Sequence, residues 1–158
     1  MKLCMIGTGY VGLVSGACFS DLGNDVICVD NDKDKISNLK KGIMPIYEPG
    51  LEELVKKNYK AGRLKFSSDL KISVLKSNII FICVGTPTKI KGNAADLSQI
   101  YNVANLISNY VKSFKIICTK STVPVTTGDN IEKIILKKVK KKNFSVVSNP
   151  EFLREGEA

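Results

Sequence analysis

Short apolar runs alternate along this chain with segments whose apolar residues recur at helical spacing. The apolar runs predict six β-strands, at about 2–6, 26–29, 64–66, 78–84, 115–118 and 144–147. The helical spacing predicts α-helices between them, at about 10–22, 33–40, 51–59, 69–75, 96–110 and 126–138. Strands that are apolar on both faces and alternate with helices are typical of a parallel sheet covered on both sides. The pattern therefore predicts an α/β, doubly wound fold of Rossmann type, with a mostly parallel six-stranded sheet in the order 3-2-1-4-5-6.

The first predicted helix has apolar residues on one face, which we expect to pack against the sheet. These residues are Val11, Val14, Ala17, Cys18 and Leu22.

The size and composition of the chain fit one globular domain. It has 158 residues, of which 44% are hydrophobic and 25% are charged. No apolar stretch is long enough to cross a bilayer, and the first residues do not resemble a signal peptide. We therefore expect a cytoplasmic protein that does not enter the membrane.

Cysteine and histidine content restricts the possible chemistry. The five cysteines form no CxxC pair, and four of them lie in apolar strand-like runs, so we expect all five to be reduced and structural. The absence of histidine excludes a Ser-His-Asp triad, a Cys-His dyad and an ordinary zinc site within these residues. We expect no bound metal.

The net charge of +9 makes nucleic acid a candidate partner. However, the lysines are scattered, and the one dense run, Lys137 to Lys142, coincides with a predicted helix end, where cations suit the helix dipole. Aromatic residues do not alternate with the basic ones, as a platform for stacking bases would require. We therefore expect no nucleic-acid partner.

Three glycines follow the first strand at the spacing GxGxxG and open a helix. In a dinucleotide-binding turn, Gly7 permits the tight turn, Gly9 lets a pyrophosphate approach the backbone, and Gly12 lets helix and strand pack closely. A glycine-rich turn without a ligand is the alternative. The residues predicted to contact the cofactor here are Gly7, Thr8, Gly9, Tyr10, Val11 and Gly12.

An acid at the end of the second strand completes this fingerprint. Asp30 lies 18 positions after Gly12, close to the separation expected for a residue that binds the adenosine ribose. Its carboxylate can accept hydrogen bonds from both ribose hydroxyls and would repel a 2′-phosphate, which favours NAD over NADP. Lys35, one helical turn later, is either a cationic counterweight that would favour a 2′-phosphate or a residue that only flanks the ribose.

Five motifs in register carry a resemblance to a known family. They are GTGYVG (7–12), IYEPGLEEL (46–54), VGTPT (84–88), STVPVTTG (121–128) and NPEFLREGEA (149–158), and the third enters a predicted loop at 85–93. Together they resemble the UDP-glucose/GDP-mannose dehydrogenase family over the whole chain. The resemblance implies NAD-dependent oxidation of UDP-glucose to UDP-glucuronate, in two hydride transfers.

The resemblance also implies roles for residues in the later motifs. Thr122 would help to position a catalytic water, and Glu151 would act as the general acid/base. Glu155 would reach both substrate and cofactor. Ordinary loop chemistry and solvated glutamates are the alternatives. Further cofactor contacts would come from Gly85, Thr86, Pro87, Ser121 and Thr122, and the substrate would contact Glu151, Phe152, Leu153, Arg154 and Glu155.

The family's nucleophilic cysteine and oxyanion-stabilising lysine have no match in these motifs. We therefore expect residues 1–158 to be the NAD-binding domain of a longer enzyme, homodimeric when whole, and to be inactive alone. The alternatives are a dehydrogenase for GDP-mannose or UDP-N-acetylmannosamine, another NAD enzyme of similar architecture such as a 3-hydroxyacyl-CoA or 6-phosphogluconate-type dehydrogenase, and an NAD(H)-sensing module without catalysis.

Overall fold

A computed structural model describes residues 1–89 and 95–157 of the chain. Within them six strands form one sheet, and every neighbouring pair is parallel. The order is β3-β2-β1-β4-β5-β6, so the predicted order is confirmed. The strands are β1 (Lys2–Ile6), β2 (Asp25–Val29), β3 (Leu64–Ser67), β4 (Ile79–Ile82), β5 (Lys115–Thr119) and β6 (Phe144–Ser148).

Helices connect these strands and cover both faces of the sheet. In the described part of the chain they are α1 (Tyr10–Asp21), α2 (Lys33–Lys40), α3 (Leu51–Lys60), α4 (Leu70–Lys76), α5 (Ser98–Ser108) and α6 (Thr127–Leu136), with a 3₁₀ turn at Lys141–Asn143. None of the helices in these residues is long and apolar enough to span a bilayer.

Alternate residues of the four central strands, β2, β1, β4 and β5, belong to different hydrophobic cores. Leu3 and Met5 of β1 pack in the core under α1, α2 and α3, whereas Cys4 and Ile6 pack in the core under α4, α5 and α6. The period-two alternation of a strand divides its side chains in this way. The sheet is therefore apolar on both faces, as the continuous apolar runs predicted.

The predicted buried face of α1 was wrong at two positions. Cys18 is exposed and Leu22 is 78% exposed, whereas Gly16 and Ser20 face the interior. A Cβ on Gly16 would lie 2.6 Å from the sulfur of Cys28 in β2. Close packing of α1 on the sheet therefore selects small residues, which an apolar stripe does not reveal.

All five cysteines are free thiols, as predicted. Four of them are buried, whereas Cys18 is exposed. Burial raises the pKa of Cys118 to about 11. Burial raises the pKa of the Cys4, Cys28 and Cys83 thiols as well. These four side chains act as small hydrophobic residues of the sheet.

Element ends agree with the predictions to within a few residues. The helix predicted from Asp96 begins at Ser98, and the Asp96 carboxylate accepts the Ser98 N–H at 2.9 Å. Helix α6 ends at Leu136, so the lysine run does follow a helix end. Of the predicted loop at 85–93, residues 90–93 lie outside the described residues, as does Ala158.

Candidate functional site

The carboxyl ends of the strands form one edge, and four of the five sequence motifs follow them, whereas IYEPGLEEL lies in the loop between α2 and α3 and in the first turn of α3. Backbone hydrogen bonds extend the sheet past its strands and bring the following loops into line. For example, the N–H of Gly7 donates to Val29 O at 2.8 Å, and the N–H of Lys120 donates to Ile82 O at 3.0 Å. Open α/β sheets bind ligands at this edge, where the strand order reverses between β1 and β4.

The turn between β1 and α1 leaves no room for two of its glycines to carry a side chain. Gly7 has a φ of +103°, and a Cβ there would lie 2.7 Å from Cys83 O. A Cβ on Gly12 would lie 1.9 Å from Gly7 O. These contacts are the tight turn and the close helix packing that the GxGxxG spacing predicted.

Gly9 has the opposite environment, because an added Cβ there meets none of the described atoms within 4 Å. It is the N-cap of α1, and the Leu13 N–H is bonded to Gly9 O at 3.0 Å. The earlier N–H groups of a helix have no partner within it, and the helix dipole makes this end positive. No acidic residue occupies the first turn of α1. The open space in front of Gly9 therefore fits the pyrophosphate of a dinucleotide.

Asp30 faces this turn from the end of β2 and is held by several donors. The N–H and the hydroxyl of Thr8 donate to its Oδ2 at 2.9 and 2.7 Å, and Lys35 Nζ lies 3.2 Å from the same oxygen. The Asp32 N–H donates to Oδ1 at 3.1 Å. Burial alone would raise the pKa of Asp30, but these hydrogen bonds and the Lys35 charge outweigh it and lower that pKa. Asp30 is therefore ionised at neutral pH.

A cavity of about 530 Å³ adjoins Asp30. Its lining includes Gly7, Asn31, Ser68, Val84 and Asn102, from the loops after β1, β2, β3 and β4 and from α5. Its size suits a nucleoside, and its mixed polar and apolar lining is typical of a small-molecule site. The glycine turn, Asp30 and this cavity are contiguous.

The loops after β4 and β5 are joined by Ser121, whose hydroxyl donates to Val84 O at 2.7 Å. Gly85 and Pro87 are exposed and Thr86 is half-buried in the first loop. Thr122 follows Ser121 in the second loop and is exposed. Three of these five residues are therefore exposed at the carboxyl edge, and Thr86 and Ser121 are half-buried there.

The segment after β6 returns to the start of α1. The Tyr10 hydroxyl donates to Arg154 O at 2.8 Å, although 144 residues separate them. The charges of Glu151 and Glu155 also contribute to the high pKa of Tyr10, which burial chiefly raises to about 12. Both glutamates therefore lie near the glycine turn, while Phe152 is 87% exposed.

Sequence reasoning missed the part played by Glu48. It lies in the IYEPGLEEL motif, which received no role in the sequence analysis, yet it is buried and its Oε2 accepts the Gly156 N–H at 2.7 Å. The available signal was an acid between a tyrosine and a proline in a loop, which does not identify a partner 108 residues away.

Comparisons with known proteins agree with this geometry. The family model for the NAD binding domain of the UDP-glucose/GDP-mannose dehydrogenase family matches residues 1–158. The UDP-glucose 6-dehydrogenase of Rhizobium meliloti (strain 1021) is 55% identical over all of this chain and 36% of its own length. UDP-glucose 6-dehydrogenase TuaD of Bacillus subtilis (strain 168) is 51% identical over 99% of this chain and 34% of its own length.

Among solved structures, the GDP-mannose dehydrogenase from Pseudomonas aeruginosa superposes with a TM-score of 0.90 at 40% identity. That match covers 99% of this chain and 37% of the other. The chain thus spans about a third of the length of the relatives that it matches.

Proposed function

The chain belongs to the UDP-glucose/GDP-mannose dehydrogenase family, as its NAD-binding domain, and from that premise we propose that it serves the oxidation of UDP-glucose to UDP-glucuronate. In this proposal residues 1–158 supply the NAD site and one wall of the substrate pocket. The relatives are about three times as long, and the other wall would come from sequence of the kind that they have beyond the matched region.

The observation that carries the proposal is the continuous site formed by the glycine turn, Asp30 and the adjoining cavity. The turn offers backbone N–H groups to a pyrophosphate, and Asp30 offers an ionised carboxylate to a ribose diol. A 2′-phosphate would place negative charge against that carboxylate. The site therefore suits NAD better than NADP.

Bound NAD⁺ would supply the hydride acceptor for the oxidation. We propose that Gly85, Thr86, Pro87, Ser121 and Thr122 flank its nicotinamide half, because their loops follow β4 and β5 and Ser121 joins them. The residues of the glycine motif, Thr8, Tyr10 and Val11 included, would hold the pyrophosphate. Lys35 would steady Asp30 beside the ribose.

We propose that Glu151 is the general acid/base, with Thr122 positioning a water for it. Both residues follow the carboxyl end of a strand, and Glu151 affects the Tyr10 hydroxyl electrostatically. A carboxylate so placed can take a proton from a water or an alcohol. Glu155 would contact substrate and cofactor, and Phe152, Leu153 and Arg154 would line the sugar nucleotide.

UDP-glucose is preferred over GDP-mannose as the substrate because relatives named for UDP-glucose are 55% and 51% identical, against 40% for the GDP-mannose dehydrogenase. The proposal includes a homodimer, the commonest oligomer of soluble enzymes. It also includes a cytoplasmic location, which the five free thiols support.

Two measurements test the proposal. The enzyme expressed from the complete reading frame should form about two NADH for each UDP-glucose consumed, and less with GDP-mannose. The 158-residue chain alone should bind NAD⁺ but form no NADH from UDP-glucose above a blank without protein. Equal or faster oxidation of GDP-mannose would reject the substrate assignment, and NADH formation by the chain alone would show that it is a complete catalyst.

A further inference from the structure

Glu48 is buried although it lies in a loop whose neighbouring residues are exposed. It is 7% exposed, whereas Tyr47 is 86% exposed and Pro49 is also exposed. Withdrawing a carboxylate from water is unfavourable unless hydrogen bonds replace the lost solvent. The partners of Glu48 therefore indicate why this side chain is turned inward.

Those partners come from two distant parts of the chain. Glu48 Oε2 accepts the Gly156 N–H at 2.7 Å, and its carboxylate lies close enough to the Tyr10 hydroxyl to help raise the pKa of that group. That hydroxyl in turn donates to Arg154 O at 2.8 Å. Gly156 has a φ of +86°, a conformation that favours glycine. Two hydrogen bonds thus hold the segment 151–157, one to Glu48 in the 41–50 loop and one to Tyr10 at the start of α1.

This arrangement holds the segment 151–157 against the glycine turn. Among the described residues, the Arg154–Glu157 ion pair of this segment, at 2.9 Å, is internal, and Phe152 is largely exposed. Hydrogen bonds to a charged acceptor are stronger than those to a neutral one. Of the two hydrogen bonds that hold the segment, the one to the Glu48 carboxylate is therefore the stronger.

We propose that Glu48 is a positioning residue for the reaction: it fixes the segment 151–157 in register with the glycine turn, so that Glu151 and Glu155 face the cofactor site. The inference rests on the proposed function, which assigns those two glutamates to the substrate. Glu48 acts through Gly156 and Tyr10 rather than on the reacting atoms.

The Tyr10 part of the link is independent of pH over the working range. Burial and the nearby carboxylates raise the pKa of Tyr10 to about 12, so its hydroxyl keeps the proton that it donates. The hydrogen bond from Tyr10 to Arg154 O should therefore persist between weakly acidic and weakly basic solution.

The test compares Glu48→Ala and Glu48→Gln with a matched control, Glu53→Gln, which removes the same charge from an exposed side chain five positions away. In the enzyme from the complete reading frame, Glu48→Ala should lower kcat for UDP-glucose about ten- to hundredfold. The Kd for NAD⁺ and the Tm should stay close to the wild-type values. Glu48→Gln keeps a neutral acceptor for the Gly156 N–H and should lower kcat less than tenfold, but more than Glu53→Gln does.

Amide hydrogen exchange of Gly156 gives a readout that does not require turnover. Exchange should be at least tenfold faster in Glu48→Ala than in the wild type and unchanged in Glu53→Gln. The inference would be overturned if Glu48→Ala had the Gly156 exchange rate and the kcat of the wild type. If the alanine variant does not fold, the inference would be overturned by equal kcat values and equal exchange rates in Glu48→Gln and Glu53→Gln. A wild-type enzyme that fails to oxidise UDP-glucose would reject the proposed function, and the exchange rates would still decide whether Glu48 positions the segment.

Discussion

The hydroxyl of Thr8 donates to the carboxylate of Asp30, with 2.7 Å between Oγ1 and Oδ2. Thr8 is fully buried between two glycines of the turn, and its backbone N–H donates to the same oxygen at 2.9 Å. The residue between the glycines therefore orients the acid at the end of β2. This contact joins the parts of the proposed NAD site that we assign to the pyrophosphate and the ribose.

Thr8→Val removes this hydroxyl at nearly constant volume and leaves the N–H in place. Because the hydroxyl favours the ionised carboxylate, we expect the pKa of Asp30 to rise and NAD⁺ affinity to fall several-fold. Carbon-detected NMR titration of the Asp30 carboxyl and calorimetry measure the two effects. Thr8→Ser keeps the hydroxyl and is the control, in which the pKa of Asp30 should stay low. An unchanged Asp30 pKa in Thr8→Val would contradict this explanation.

Asp30 should also affect the pH dependence of stability. Its pKa in the folded chain is lower than the ordinary 3.8, so the ionised group stabilises the fold above that value. The contribution is lost as the pH falls through the lowered folded pKa. In urea unfolding, the free-energy difference between wild type and Asp30→Asn should be constant above about pH 5 and shrink below about pH 4. The pKa values of Asp21 and Asp96 are also lowered, but both groups are present in the two proteins and their effects cancel in the difference. A free-energy difference between wild type and Asp30→Asn that stays constant below about pH 4 would contradict the lowered pKa of Asp30.

Two glycines of the motif should respond differently to alanine. A methyl group on Gly12 would clash with Gly7 O, so Gly12→Ala should lower the free energy of unfolding by about 3 kcal/mol. Gly9→Ala has open space and should cost only about 1 kcal/mol, mainly from the poorer N-cap. It should nevertheless weaken NAD⁺ binding at least tenfold, because the methyl occupies the pyrophosphate space. Denaturant unfolding measures the loss of stability, and calorimetry measures the loss of NAD⁺ affinity. Wild-type NAD⁺ affinity in Gly9→Ala would show that the pyrophosphate does not lie against the backbone at Gly9.

Many of these features could be predicted from the sequence because they depend on local pattern. The positions of the strands and helices follow from the spacing of apolar residues along the chain. The edge of the sheet that carries the site follows from the parallel arrangement of the strands, whose carboxyl ends meet there. The small-residue face of α1 was missed because an apolar stripe does not include Gly16, which packs tightly on β2, or Ser20, which is fully buried. The contacts of Glu48 with Gly156 and of Tyr10 with Arg154 join residues far apart in the chain. Side-chain pairing at such separations has no signature in a single sequence.

Glu151→Gln tests the proposed general base in the enzyme from the complete reading frame. Glutamine retains the shape but cannot accept a proton, so steady-state turnover should fall about 10²–10⁴-fold. NAD⁺ affinity should not change, because the pyrophosphate and ribose contacts remain. Glu157→Gln, in the same segment, is the control and should keep near-normal turnover. Full activity in Glu151→Gln would assign the base to another residue.

The central claim is that the glycine turn and Asp30 form a site for NAD. Calorimetric titration of the purified chain with NAD⁺ and with NADP⁺, in the wild type and in Asp30→Ala, tests it most directly. We expect one site in the wild type, with NADP⁺ binding at least tenfold more weakly than NAD⁺. Asp30→Ala should weaken NAD⁺ binding by roughly tenfold or more, since a hydrogen bond to a charged group contributes about 1.5–3 kcal/mol. Equal affinity of the wild type for the two cofactors, together with unchanged NAD⁺ affinity in Asp30→Ala, would contradict the claim.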